Sequence, residues 1–345
     1  MIYFNNDYSE GCHPEILKVL NETNLLQTSG YGMDPFCESA ASKIRSACAC
    51  EEADVHFLVG GTQTNLTVIA AALRPYQGVL CADTGHINVH ETGAIEATGH
   101  KVIGLPSADG KLTADQVEQQ LILHRGSSDA EHMVQPKMVY ISHPTEVGTL
   151  YTKAELTSLH AVCKRYGLYL FLDGARLAYG LTAEGADLTL PNIAELTDVF
   201  YVGGTKCGAL FGEAVVITNA ELNTDFRYMI KQRGGMLAKG RLLGIQFDTL
   251  FRNDLYHEVG RFANQLADRI RVTLAECGFS ELVKTTSNQV FPILPDRALT
   301  ELSKDFCFTE MHRVDAEHRC IRFCTSWATK AENVDKLCNT IRNLR

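Results

Sequence analysis

Up to residue 218, short apolar runs alternate with stretches in which apolar positions recur every three or four residues. Residues 55–59 (Val-His-Phe-Leu-Val) predict a strand, and 62–73, opening from a Gly-Gly turn, predict a helix. The next strand is expected at 79–82, followed by a helix over 87–98. Further strands are expected at 101–105, 138–142, 168–172, 199–202 and 214–218, with helices over 113–124 and 153–166. Residues 168–172 carry no charge, as a strand covered on both faces requires. Serial βα units of this kind make an α/β fold, a large and mostly parallel sheet with helices on both faces.

Two longer helical patterns come next, 222–231 and 242–277, the second with a break expected at Asn253-Asp254. Beyond Gly278 the texture changes. Strands at 288–294 and 320–325 and helices at 298–305 and 331–344 predict a small C-terminal α+β module. The expected organisation is a large domain over 1–250, which includes an N-terminal arm, and a small domain over 251–345.

Composition narrows the classes. Lys plus Arg is 32 against 41 Asp plus Glu, a net charge of -9, and no basic block offers a nucleic-acid footprint. At 45% hydrophobic and 21% charged, the chain is ordinary for a folded globular protein and unlike a disordered one. No apolar run reaches the roughly 18 residues of a membrane helix. The N-terminal residues lack the basic start and apolar stretch of a secretory signal, so a cytoplasmic protein is expected. Twelve cysteines are scattered without a CxxC pair, which predicts reduced core residues and no metal site.

Candidate chemistry gathers at strand ends, where open α/β sheets bind ligands. Gly60-Gly61-Thr62-Gln63-Thr64-Asn65 joins a strand to a helix. Its glycines allow close backbone approach, and a helix amino terminus offers free N–H groups to a phosphate, though such turns are also common as plain structure. The stretch is neither a G-x-G-x-x-G nor a Walker loop. Asp173, with Gly174-Ala175-Arg176 after it, ends an apolar strand. It reads either as a helix cap or as a carboxylate meeting a cationic ring nitrogen. Lys206, in Gly203-Gly204-Thr205-Lys206-Cys207-Gly208, follows another apolar strand. A lysine desolvated there becomes an imine-forming nucleophile. The order phosphate loop, Asp, Lys is the one used to hold pyridoxal 5′-phosphate.

With these residues the sequence resembles the threonine aldolase family, the β-eliminating lyase-like group of fold-type I pyridoxal enzymes. The likeness spans nearly the whole chain. It also rests on Tyr31-Gly32-Met33-Asp34-Pro35, on Gly234-Gly235-Met236-Leu237-Ala238-Lys239-Gly240 and on Ile321-Arg322-Phe323-Cys324-Thr325-Ser326-Trp327. The resemblance implies an aspartate-aminotransferase-like fold and retro-aldol cleavage of L-threonine and L-allo-threonine to glycine and an aldehyde. It implies Lys206 as the cofactor-bearing lysine and Asp173 as the partner of the ring nitrogen. Gly60, Gly61, Thr62 and Thr205 would hold the phosphate, and His86 would stack on the ring and serve as a catalytic base. Arg176 and Arg322 match arginines near the cofactor oxygen and the substrate carboxylate, and Asn6 and Asp7 match substrate contacts. Tyr31 and Lys239 would reach a neighbouring subunit's site, since family sites lie at the dimer interface of a dimer or tetramer.

The chain also departs from the family. Pro144-Thr145-Glu146-Val147-Gly148 replaces the usual Asn-Thr-His-Asn-Gly, which puts Glu146 at the substrate hydroxyl and makes it a second candidate base. Leu237 follows Met236 where an Arg is frequent. The cofactor-holding residues do not encode reaction type, so β-elimination or transamination stands as an alternative, with a non-catalytic fold relative behind it.

Overall fold

The structure, a computed structural model, describes residues 1–344. The N-terminal half runs β1 (Ile2–Tyr3), α1 (Pro14–Thr23), α2 (Pro35–Ala47), β2 (Asp54–Leu58), α3 (Gly61–Ala72), β3 (Gln77–Ala82), α4 (His86–Val89) and β4 (Lys101–Leu105). It continues through α5 (Ala114–Gly126), β5 (Gln135–Ser142), α6 (Lys153–Tyr166), β6 (Tyr169–Asp173), α7 (Leu177–Leu181), α8 (Leu190–Leu196), β7 (Val199–Gly203) and β8 (Glu213–Ile217). Next come α9 (Phe226–Gln232), α10 (Arg241–Leu250), α11 (Leu255–Glu276), β9 (Gln289–Val290) and β10 (Ile293–Pro295). The chain ends with α12 (Asp296–Leu302), β11 (Phe306–Cys307), β12 (Thr309–Arg313), β13 (His318–Cys324) and α13 (Ala331–Arg342).

Seven strands form the central sheet in the order β2-β8-β7-β6-β5-β3-β4. All pairs are parallel except those made by β8, which runs against both β7 and β2. The carboxyl ends of β2, β3, β5, β6 and β7 therefore share one edge with the amino end of β8. Strand alternation sends Leu170, Leu172, Phe200 and Val202 into a core that also holds residues of α2, α6 and α10. Phe171, Val199 and Tyr201 enter a second core with residues of α3 and α9. A third core joins Phe4, the far half of α11, β13 and α13.

Helix α11 links the first and third cores: Tyr256, Val259 and Ala263 belong to one, Leu266, Ile270 and Leu274 to the other. The break expected before it is present, because Asn253 and Asp254 both take left-handed φ of 50° and 62°. The arm behaves differently from a simple extension of the large domain. β1 pairs with β11, and the Cys324 N–H donates to the Phe4 carbonyl, so residues 2–4 pack with the C-terminal part.

The helix expected over 87–98 is not continuous. Only α4 and a 3-10 turn at Glu96–Thr98 form, separated by Thr92 and Gly93 at φ 54° and 71°. The interruption turns the Glu91 side chain inward, where it is buried. The strand expected over 288–294 is likewise split into β9 and β10 around Pro292, which has no N–H for a ladder. All twelve cysteines are free. No described helix is long and apolar enough to cross a membrane.

Candidate active site

The shared edge of the sheet encloses a cavity of about 350 Å³ lined by Gly60, Gly61, Thr62, His86, Glu146, Asp173, Arg176, Thr205 and Lys206. Nine residues singled out from sequence thus meet in one place. Tyr8, Tyr201 and Glu213 also line it.

Gly60 caps α3 without any side-chain hydrogen bond, so the first N–H groups of the helix stay open to the cavity edge. A Cβ on Gly61 would sit 3.1 Å from the Tyr201 hydroxyl, which explains the small residue there. Together with the dipole of this twelve-residue helix, the open amides suit an anion.

Asp173 ends β6 and is 5% exposed. It accepts from Tyr140 Oη at 2.5 Å, from the Ala175 N–H at 2.9 Å and from Asn65 Nδ2 at 3.3 Å. The carboxylate is therefore held rigidly at the cavity wall. Gly174 is obligatory behind it, since a Cβ there would lie 2.0 Å from the Tyr201 carbonyl oxygen.

Lys206 follows β7 and is half-buried. Burial pulls its ammonium below the ordinary lysine range and the Arg176 charge adds to this, while Asp7, Asp173 and Glu213 oppose it. An amine so placed gives up its proton readily.

His86 opens α4 at the end of β3. Its Nδ1 lies 2.7 Å from Glu91 Oε1, which also accepts from Asn65 Nδ2 at 2.7 Å. Because Glu91 is an acceptor, the bond places a hydrogen on Nδ1 and leaves Nε2 as the free ring nitrogen. Asn65 touches both Glu91 and Asp173, so one buried chain ties the imidazole to the carboxylate. Glu146 Oε1 accepts from the His86 N–H at 2.9 Å and from Ser142 Oγ at 2.6 Å. Burial raises the Glu146 pKa, and Asp173 pushes the same way against the Ser142 bond.

Arg176 reaches the cavity but grips Asp7 with both arms, Nε to Oδ2 at 2.7 Å and Nη2 to Oδ1 at 3.0 Å. Burial would raise the Asp7 carboxyl, yet the charges of Arg176 and Lys206 hold it below its usual value. Asp7 is fully buried and also accepts from Asn288 Nδ2 at 2.9 Å, so its oxygens face protein groups. Asn6 folds its side chain onto Tyr8 N–H and Ser9 Oγ, and it is Tyr8 that lines the cavity.

Arg322 stands on β13, outside the residues that line the cavity. It donates to the Asn5 carbonyl at 3.1 Å, Gln289 Oε1 at 3.3 Å and Thr309 Oγ1 at 3.5 Å, and none of these acceptors is a carboxylate. Tyr31 and Lys239 lie apart, Tyr31 in a second depression with Met33, Arg227 and Met236, and Lys239 in a third beside Leu20 and Leu242.

The sequence does not single out Glu91, Tyr140 or Glu213, and it offers Asn65 only as the end of the Gly-Gly turn. Glu91 fell inside an expected helix face, and Glu213 sits at the amino end of the antiparallel strand β8, whereas the sequence points only to carboxyl ends of parallel strands. The spacing His86…Glu91 would have been the available clue.

The fold and the cavity define a fold-type I, aspartate-aminotransferase-like protein; over 100% of this chain and 92% of the other it superposes on an aspartate aminotransferase of Thermus thermophilus at TM-score 0.73 and 15% identity. The chain belongs to the beta-eliminating lyase family, whose profile matches residues 18–317. A threonine aldolase structure from Leishmania major is 47% identical, covering 100% of this chain and 99% of that one, at TM-score 0.97. A low specificity L-threonine aldolase of Pseudomonas aeruginosa is 30% identical over 98% of this chain and 96% of its own length.

Proposed function

We propose that the protein is a pyridoxal 5′-phosphate-dependent lyase that cleaves L-threonine, L-allo-threonine and related β-hydroxy-α-amino acids to glycine and an aldehyde. The observation that carries this reading is the convergence of Lys206, Asp173 and the open amino terminus of α3 on one cavity. These groups fit the cofactor: open amides for a phosphate, a rigid carboxylate for a ring nitrogen, a desolvated amine for an aldehyde and an imidazole for a ring face. The threonine aldolase relatives supply the reaction type. When bound, the cofactor supplies a sink for the electrons released at Cα.

Lys206 holds the cofactor, and Asp173, fixed by Tyr140 and Asn65, keeps the ring nitrogen protonated. Gly60, Gly61, Thr62 and Thr205 hold the phosphate. His86, oriented by Glu91, packs on the ring and offers Nε2 to the β-hydroxyl proton; Glu146, with its raised pKa, is the second group able to take that proton. Arg322, which stands outside the cavity lining and has no carboxylate partner among the described residues, is the group we assign to the substrate α-carboxylate, where it orients the scissile bond. Arg176 positions the site through Asp7, and Asn6 closes the arm beside the substrate.

The chain works as a homodimer or tetramer, with Tyr31 and Lys239 completing the neighbouring site. Exposed apolar side chains at Met33, beside Tyr31, and at Leu26, beside Lys239, support that contact. Its free thiols suit the reducing cytoplasm.

The test is product analysis after incubation with L-threonine. Glycine and acetaldehyde should form in equal amounts. Production of 2-oxobutyrate and ammonia without glycine would overturn the reading in favour of β-elimination.

A further inference from the structure

We propose that Glu213 must carry a proton for the α3 amino terminus to receive a phosphate dianion, so that binding takes one up wherever Glu213 is ionised beforehand, and that Thr205 relays the gain to the anion. The inference rests on the cofactor reading above and assigns to it a residue the resemblance did not bring in.

Glu213 is the first residue of β8, opposite Gly203 on one side and Leu58 on the other. It is 3% exposed and lines the cavity. Lys206 acts on it through its charge and not through a hydrogen bond. Its carboxylate instead accepts from Thr205 Oγ1 at 2.9 Å and from the Gly204 N–H at 3.1 Å. Thr205 Oγ1 in turn accepts from the Gly212 N–H at 3.0 Å.

The hydrogen and lone pairs of that hydroxyl decide the matter. A threonine hydroxyl has one hydrogen and two lone pairs. With Glu213 ionised, the single Thr205 hydrogen goes to the carboxylate and none remains for an anion. Protonation of Glu213 reverses that bond: its O–H donates to the second lone pair of Thr205, the Gly212 N–H keeps the first, and the Thr205 hydrogen is freed for an anion in the cavity, which competes only with the long 3.5 Å contact to the Gly212 carbonyl. The same proton removes a negative charge from the wall against which a dianion must sit. The proton comes from solvent and no other bond changes.

The groups facing Glu213 are consistent with this. Burial pushes its carboxyl up, Lys206 and the Thr205 bond pull it down and Asp173 raises it, leaving it pushed up to about 8. The other titratable neighbours are Tyr201 on β7, Tyr256 on α11 and Cys207, all kept neutral by burial. The α10 residues against Gly212, Leu243 and Phe247, are apolar.

Sulfate is the probe, because it stays a dianion across the accessible pH range. Binding is measured calorimetrically in two buffers of different ionisation enthalpy. The full chain carries Lys206→Arg, so that the charge facing Glu213 stays while the amine's own titration drops out. Above about pH 8 the dissociation constant should rise about tenfold per pH unit, with close to one proton taken up per sulfate bound. Adding Glu213→Gln should give binding with little pH dependence and no proton uptake. Adding Thr205→Val should weaken binding about tenfold near pH 7, whereas Thr205→Ser should bind as the parent does. Equal pH slopes and equal proton uptake before and after the Glu213→Gln change would overturn the proposal, as would a Thr205→Val protein that binds as tightly as its parent. If neither sulfate nor, with Lys206 intact, pyridoxal 5′-phosphate binds at any pH, the cofactor reading itself falls and takes this proposal with it.

Discussion

Asp7→Asn is the sharpest single probe of how the arm holds the site. The change keeps shape and removes one charge from a two-point ion pair whose carboxylate is fully buried and whose arginine side chain is 14% exposed. The new amide cannot satisfy its neighbours either way round. Placed at Oδ1, its NH₂ meets Arg176 Nη2; placed at Oδ2, it meets both Arg176 Nε and Asn288 Nδ2. Breaking one side of a buried pair costs about 3–5 kcal/mol, because the remaining guanidinium is left uncompensated. An unfolding entropy of about 2.1 cal/mol/K per residue converts this, for a chain of 345 residues, into a melting shift of about 4–7 °C at Tm. The assay is a thermal-unfolding double-mutant cycle with Arg176→Gln, each protein free of cofactor. The pair should be coupled by at least about 2 kcal/mol, since both changes remove the same bonds. Additive losses, with coupling below about 0.5 kcal/mol, would refute the claim that Asp7 and Arg176 act as one unit.

Glu91→Gln keeps an oxygen for His86 and Asn65 but removes the charge, so cofactor binding should survive while turnover falls about tenfold to a hundredfold; unchanged turnover would show that Glu91 does not orient His86. Gly174→Ala should abolish soluble expression or lower the melting temperature sharply, because the added Cβ lies 2.0 Å from the Tyr201 carbonyl oxygen; a normally stable variant would contradict that packing. Burial depresses the His143 pKa to about 4. Above about pH 6.5 the residue is neutral folded or unfolded, and between about 6.5 and 4 only the unfolded chain binds the proton, so this contribution to stability is lost as pH falls, by up to about 3 kcal/mol. His143→Gln should flatten that part of the acid stability curve, and an unaltered curve would count against the assignment.

The central sheet was legible because its strands are buried on both faces and announce themselves as apolar runs. The lining of the candidate site was legible where polar residues follow a parallel strand: Asp173 after β6, Lys206 after β7, Gly60 to Thr62 after β2 and His86 after β3 all reach one cavity. The antiparallel setting of β8 was not legible, since an apolar run carries no direction, and Glu213 was missed with it. Residues 87–98 misled for a different reason. Their helical periodicity is overridden by left-handed turns that bury Glu91 against His86 and Asn65. The short helix α7, which has no side-chain cap, and the strand pairing of β1 with β11 depend on contacts distant in sequence, which local pattern does not encode. Helix α2 did carry a local signal, Asp34 before Pro35, and the structure realises it as a cap accepting from Phe36 and Cys37 N–H.

The proposed chemistry depends on one nitrogen, Lys206 Nζ. Borohydride reduction of the cofactor-loaded protein, followed by peptide mass mapping, tests it most directly. Reduced cofactor mass on the peptide containing Lys206, at one per chain and absent from a Lys206→Ala variant, is the predicted result. Labelling of a different lysine, or no labelling of a protein that still cleaves L-threonine, would contradict it.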